Sequence, residues 1–311
     1  MALKHNKPKS WKDSRLKLLI IFNPKAAYGR SVKKLEHIKS RFAGLGIDAK
    51  FLPTGHPGHG KELVAGMGLA AFDGLVAAGG DGTLFEVLNG LYSHPKSDRI
   101  PVGLIPIGTG NAFARELDLE PEAWQEAVDL LHRGQTRLID VVEVKAADVG
   151  FYYLNTLHMG FSVTAGLVAQ KLKFFGQAAY TLATLWQVLK KRSYPLVMEI
   201  DGAVVRSDNV FVTISNSRYT GTHFLIAPGA SIDDGLLDVT LLRDLSRRRL
   251  LRLFPTIYSG RHVGFEEVSV QQAKHIRILS PPGMLLGPDG EFAGKSPVDI
   301  SCLQRDLAIF C

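Results

Sequence analysis

The tightest constraint on this chain is Gly79-Gly80-Asp81-Gly82-Thr83, which stands between an apolar run, Phe72 to Ala78, and a second run, Leu84 to Leu91. A short apolar run closed by glycines reads as a buried strand, and the longer run after it as a helix. The glycines then fall where a parallel strand hands over to a helix. Missing side chains there admit a phosphate to backbone N–H groups and to the helix N-terminus. Asp81 could serve a Mg²⁺ carried by that phosphate. Taken alone, such a cluster also reads as an ordinary tight βα turn.

The arrangement recurs. Leu18 to Phe22 is an apolar run that ends in Asn23-Pro24-Lys25-Ala26-Ala27-Tyr28-Gly29-Arg30, and Val102 to Ile105 runs through Pro106-Ile107-Gly108-Thr109-Gly110-Asn111 into a further helix. Val32, Leu35, Ile38 and Phe42 keep near-helical spacing until Gly44 and Gly46, and Pro121 and Gly134 bracket Trp124, Ala127, Val128 and Leu131 as start and stop signals. Strand, turn and helix in alternation predict a parallel sheet covered on both faces, with ligands at the carboxyl ends of its strands. Lys25 and Arg30 are candidates to neutralise phosphate charge, or are solvated surface cations.

From about Asp140 the texture changes to β-branched and aromatic runs: Phe151 to Leu154, Leu196 to Ile200, Val210 to Ser215 and Leu236 to Leu242. Asp201-Gly202 between two of them is a type I′ hairpin signal. One helix is expected within this half, Gln177 to Lys191, with Leu182, Leu185, Trp186 and Leu189 on one face. The 311 residues suit two domains. The predicted fold is α/β, with a Rossmann-like parallel sheet first and a mainly antiparallel β-sandwich second. The expected division is a basic arm over 1–17, an α/β nucleotide-binding domain over 18–139 and a β-rich substrate domain over 140–311, its last strand a candidate to return to the first domain.

A hydrophobic share of 46% beside 22% charged residues excludes the fibrous and disordered classes. The excess of 37 Lys and Arg over 30 Asp and Glu suggests an anionic partner. Cys302 and Cys311 lack metal spacing and suggest a reduced cytoplasmic protein without a disulfide. The first residues have charge but no apolar core of a leader, and no run approaches the ~20 apolar residues of a membrane span.

No G-x-G-x-x-G opens a helix, and Gly290 to Ser296 only approximates a Walker A loop before Pro297 interrupts it. The NP-x-x-x-x-G turn, GGDGT followed by Glu86, P-x-GTGN-x-FAR over Pro106 to Arg115, and Asp289-Gly290-Glu291 together resemble the diacylglycerol kinase catalytic-domain family, which includes bacterial soluble lipid kinases and the sphingosine and ceramide kinases. The resemblance spans nearly the whole chain after the basic arm. It implies a two-domain fold with ATP in the cleft, held by Asn23, Pro24, Lys25, Ala26, Ala27, Thr54, Gly80, Asp81, Gly82, Thr83, Leu84, Phe85, Glu86 and Thr109. Asp81 would belong to the Mg²⁺ network and Glu291 would be the general base. Ser231 and Leu236, through their carbonyls, and Asp234, through its carboxylate, resemble a structural Mg²⁺ loop; without the resemblance this segment reads as a β-turn. Two positions depart from the pattern: Ala26-Ala27 replaces the usual Ser-Gly, and Ala112 stands where Asp usually follows GTGN.

The implied activity is transfer of the ATP γ-phosphate to a lipid primary hydroxyl, on a diacylglycerol-like, phosphatidylglycerol-like or sphingoid acceptor. The enzyme would be cytoplasmic and transiently at the inner face of the membrane. Lys4, Lys7, Lys9, Lys12, Arg15 and Lys17 could attract anionic lipid, and Arg247, Arg248, Arg249 and Arg252 interleaved with Leu250, Leu251, Leu253 and Phe254 form an interfacial candidate. Phe174, Phe175, Tyr180 and Trp186 are candidate acyl contacts or plain core. NAD kinase shares GGDGT but fits FAR and DGE poorly. A nucleotide-gated lipid-binding regulator without turnover is the alternative of another class, and the two departures are its support. Nucleic-acid binding ranks last, since the basic runs carry no reading motif.

Overall fold

A computed structural model describes residues 15–147, 149–160, 163, 192–221 and 223–311. The chain divides into two compact units, Met1–Leu138 with Leu307–Cys311, and Ile139–Asp306. The expected helix at 177–191, the aromatic residues Phe174, Phe175, Tyr180 and Trp186, and the arm lysines up to Lys12 lie outside the described residues.

The first unit is built on β1 (Lys17–Phe22), β2 (Asp48–Pro53), β3 (Gly74–Gly79) and β4 (Val102–Pro106), with α1 (Val32–Gly44), α2 (His59–Ala65), α3 (Asp81–Leu91) and α4 (Trp124–Arg133) between and after them. The strands run in the order β2-β1-β3-β4 and all pairings are parallel. Every residue of β3 and β4 is buried, and so is β1 from Leu18 onward. Strands buried on both faces must be covered on both, and the helices pack as two pairs, α1 with α4 and α2 with α3. Gly134 ends α4 in the left-handed conformation, as its position after the periodic run predicts.

Two elements of this unit escape the sequence reading. β2 is an edge strand with half-exposed residues in place of an apolar run, and α2 is a single short helix after a Gly-Pro-Gly-rich loop. The helix expected after Gly110 is a 3₁₀ turn, Ala112–Leu117, because Asn111 enters it in the left-handed region at φ 52°.

The second unit takes most of β5 (Thr136–Ala146), then β6 (Gly150–Tyr153), β7 (Thr156–Gly160), β8 (Tyr194–Ile200), β9 (Ala203–Ser215), β10 (Tyr219–Thr220), β11 (Phe224–Leu225), β12 (Leu237–Arg243), the helix α5 (Arg247–Leu253), β13 (Val268–Ala273), β14 (His275–Ser280), β15 (Leu286–Pro288) and the start of β16 (Val298–Phe310). Its pairings are antiparallel throughout the run β13-β12-β9-β8-β14-β16, and β7 joins β9 to β15. The β8–β9 turn has Asp201 at φ 46° and Gly202 at φ 86°, the positive pair that a type I′ hairpin needs. A parallel α/β sheet followed by a β-rich, sandwich-like half is the fold class that the sequence predicts.

The chain passes from one unit to the other in β5 and returns in β16. The last residues of β16 belong to the first unit, where Ile309 stands opposite Val102 in parallel register. Phe310 is almost fully buried there, and its ring lies over Gly74, where an added Cβ would strike it, and beside Gly103, whose Cβ would strike Leu131 first. Among the described residues no helix is long and apolar enough to cross a membrane.

Candidate active site

Three turns in the first unit sit at the carboxyl ends of β1, β3 and β4, as their sequences predict. They are fastened together. Asn23 N–H donates to the Ala78 carbonyl at 2.9 Å, and Asn23 Nδ2 donates to Thr83 Oγ1 at 3.1 Å, so the first turn is stitched to the strand and helix of the second. Ile107 and Gly108 N–H both donate to the Gly79 carbonyl at 3.0 Å, which stitches the third turn to the second. A Cβ on Gly108 would collide with the Gly80 backbone, and one on Gly79 with Thr83, so these glycines are required by close approach.

The first turn is strained. Ala27 at φ 48° and Tyr28 at φ 59° hold left-handed backbone that a Cβ disfavours. Ser31 closes the turn from behind, its Oγ donating to the Asn23 and Pro24 carbonyls at 2.9 and 3.0 Å. Lys25 is exposed and spans to the next loop, where its Nζ donates to the Gly55 carbonyl at 3.2 Å. Thr54, at the end of β2, donates its N–H to the Phe22 carbonyl at 2.8 Å.

Asp81 opens α3, yet its carboxylate turns toward the segment after β4. Oδ2 accepts Ala112 N–H at 3.0 Å and Oδ1 accepts Phe113 N–H at 3.2 Å. Burial raises its pKa, and those N–H bonds oppose the shift. Ala112 is only 2% exposed, so the aspartate that usually follows GTGN would here be buried beside Asp81. Asn111, absent from the predicted site residues, holds the same turn: Gly108 N–H donates to its Oδ1 at 3.2 Å, and its Nδ2 donates to the Gly108 and Pro121 carbonyls. Its place in GTGN was the available signal.

Glu86 also serves the neighbouring loop. Its two oxygens accept Gly58 N–H at 2.7 Å and Gly60 N–H at 2.8 Å, capping the start of α2 and fixing the loop that follows Thr54. Leu84 is buried in the core, Phe85 is half-buried, and Thr109 is exposed at the tip of its turn. The predicted residues from Asn23 to Thr109 therefore all fall in the first unit around one sheet edge.

The remaining predicted residues lie in the second unit. Asp289-Gly290-Glu291 is more than an exposed hairpin tip. Asp289 is 9% exposed and accepts three N–H bonds, from Leu154 at 3.1 Å, Asn155 at 2.9 Å and Thr156 at 3.1 Å, while Glu291 stands exposed two residues on. Ser231, Asp234 and Leu236 share one loop, in which Asp234 Oδ1 accepts Leu236 N–H at 2.9 Å and Ser231 Oγ donates to Asp233 Oδ1 at 2.9 Å. That loop is anchored by Asp140, a fully buried carboxylate that sequence reading passed over as a boundary residue. It accepts Gly235 N–H at 2.6 Å and Arg305 N–H at 2.7 Å. Burial raises its pKa, and the Asp234 and Asp233 charges push it further up.

The residues present fit the groups that the resemblance implies. Gly80, the residue before α3, has no side chain to cap it, and Asp81 and Gly82 follow at a glycine-lined edge that suits an anion. The 231–236 loop offers carboxylate and carbonyl oxygens, the donor set of a hard divalent cation.

Residues 17–144 match the family described as the diacylglycerol kinase catalytic domain, and residues 155–311 match the YegS C-terminal NAD kinase beta sandwich-like domain. A diacylglycerol kinase of Mycobacterium tuberculosis (strain ATCC 25618 / H37Rv) is 31% identical over 296 residues, covering 94% of each chain. A diacylglycerol kinase of Bacillus subtilis (strain 168) is 28% identical over 93% of this chain and 94% of its own. A crystal structure of a candidate diacylglycerol kinase from Bacillus anthracis str. Sterne superposes with a TM-score of 0.80 at 27% identity, covering 97% of both chains. With both halves matched and the glycine-turn edge in place, the chain belongs to the diacylglycerol kinase catalytic-domain family and is a kinase.

Proposed function

We propose that this kinase transfers the γ-phosphate of ATP, with Mg²⁺, to a primary hydroxyl of a diacylglycerol-like lipid. The observation that carries the reading is the stitched edge of the first unit, where Asn23, Thr83, Gly79 and Gly108 lock three strand-end turns into one surface. ATP would lie against Asn23 to Ala27, Thr54, Gly80 to Thr83 and Thr109. Asp81 holds the turn of Ala112 and Phe113 and keeps its remaining lone pairs for the metal. Mg²⁺ held there would supply charge neutralisation for the phosphates. The second unit is the acceptor domain in this reading, and Ser231, Asp234 and Leu236 are its candidate ligands for a structural Mg²⁺.

In the proposed chemistry Glu291 accepts the proton of the lipid hydroxyl as that oxygen attacks the γ-phosphorus and the bridging bond to ADP breaks. Asp289 is the positioning residue, since its three N–H bonds leave the turn that presents Glu291 little freedom. The lipid must be reached at a bilayer surface. α5 supports peripheral contact there: Leu250 and Leu253 pack inward, while Arg247, Arg248, Leu251 and Arg252 are exposed, with Tyr258 exposed beyond them.

The test is transfer of radiolabelled γ-phosphate to a lipid panel in mixed micelles, with NAD as a parallel soluble acceptor, using wild type, Glu291→Gln and Asp81→Asn. Labelled lipid in the wild type, reduced at least a hundredfold by each substitution, supports the reading. Labelled NAD, or ATP binding with no labelled product, rejects it. Cosedimentation with anionic and neutral vesicles separately checks α5, with Arg248→Glu/Arg252→Glu expected to lose the anionic preference.

A further inference from the structure

The loop between β2 and α2 holds a side-chain cluster that the kinase reading leaves unused. His56, His59 and Glu62 recur every third residue across the start of α2, and each offers a ligand atom within 4.8 Å of the others. The two rings stack, with centroids 4.7 Å apart and 19° between their planes. His56 Nδ1 lies 3.0 Å from the Pro57 carbonyl oxygen. A carbonyl only accepts, so this nitrogen carries the ring proton, and Nε2 of the neutral ring keeps a lone pair. That Nε2 faces Glu62 Oε2 at 3.7 Å. Two acceptors confront each other across a gap too long for a hydrogen bond, and either a second proton on His56 or a shared cation reconciles them. Ligand atoms of a tetrahedral site with bonds of ~2.1 Å stand ~3.4 Å apart, so the pair is close to the spacing that one ion needs.

His59 links the cluster to the loop. Its Nδ1 accepts Gly55 N–H at 2.9 Å, which places the proton of the neutral ring on Nε2. While that bond stands, His59 has no lone pair to give. Ligation through Nδ1 requires Gly55 N–H to be released, and Gly55 follows Thr54 and is gripped at its carbonyl by Lys25.

From this geometry we infer that His56, His59 and Glu62 form a site for a borderline divalent cation such as Zn²⁺, which loads as the His59–Gly55 hydrogen bond opens. Two imidazoles and one carboxylate, with a fourth position for water, suit Zn²⁺, whereas Mg²⁺ prefers octahedral oxygen ligands. His56 and Glu62 are exposed and His59 half-buried, so the remaining closure is by side-chain rotation outside the core. Because Lys25 and Thr54 belong to the proposed nucleotide surface, loading retunes that surface. This consequence rests on the kinase reading, whereas the site itself does not.

The experiment titrates untagged protein with Co²⁺ and Zn²⁺ in Mg²⁺-free buffer and follows the Gly55 amide by NMR, in wild type, His56→Ala and Glu62→Gln. The expected result is one saturating equivalent with the visible absorption of four-coordinate Co²⁺, a Kd at least tenfold weaker in each variant, and a displaced Gly55 resonance on Zn²⁺ loading. The metal-free variants should melt as the wild type does. No saturable binding in the wild type, or binding that survives both substitutions, overturns the site. Zn²⁺ binding that leaves the Gly55 amide unmoved overturns the linkage. Neither readout uses turnover, so failure here is distinct from failure of the kinase reading.

Discussion

Ala27 and Tyr28 lie at positive φ inside a turn that must stay compact between Asn23 and Ser31. Glycine at 27 removes the clash of its Cβ, and the gain exceeds the entropy that glycine adds to the unfolded chain. Ala27→Gly should therefore raise stability by about 1 kcal/mol, read as a melting temperature a few degrees higher. His158 makes the opposite kind of demand. Burial lowers its pKa to about 4, and the ring sits against Phe211 with Nε2 3.0 Å from Thr220 Oγ1. An unfolded histidine titrates near ~6.5, so between that pH and about 4 the unfolded chain takes up a proton that the folded one refuses. Stability should fall on acidification through this window by up to ~1.4 kcal/mol per pH unit, with no contribution from this group above it. Melting curves of His158→Gln should be flatter over that range than those of the wild type.

At the scale of elements, legibility followed burial. β1, β3 and β4 read clearly because both faces are covered and their runs are continuously apolar. β2 and α2 did not, because a half-exposed edge strand and a helix of two turns carry too little pattern. The glycine turns could be found, but the partners that tie them could not. Glu86, within the nucleotide motif, also caps α2, while Asp140, at the boundary between the two textures, and Asp289, in a turn signal, are buried anchors for distant backbone. Such bonds join positions far apart in sequence, where local pattern holds no information. Glu86→Gln replaces one of two charged acceptors by a donor and should cost about 1–2 kcal/mol. Hydrogen exchange is the check: Gly58 and Gly60 amides should exchange faster while the amides of β3 keep their protection.

For the whole molecule the governing feature is the return of β16. A core of the first unit completed by Phe310 should be sensitive to changes far from its own sequence. Phe310→Ala opens space over Gly74 and Gly103 that neither glycine can refill, and should destabilise by about 3–5 kcal/mol. Urea unfolding followed at probes in β1 and β3 would register the loss in the unit that contains neither the hairpins nor most of β16. The same return sets an order of events during synthesis. The residues that form most of the parallel sheet leave the ribosome first, yet the place beside β4 stays open until 307–311 emerge. The whole second unit is made in the interval, so the nascent chain carries an unfinished sheet edge throughout its synthesis, and the first unit is completed only after the unit that interrupts it.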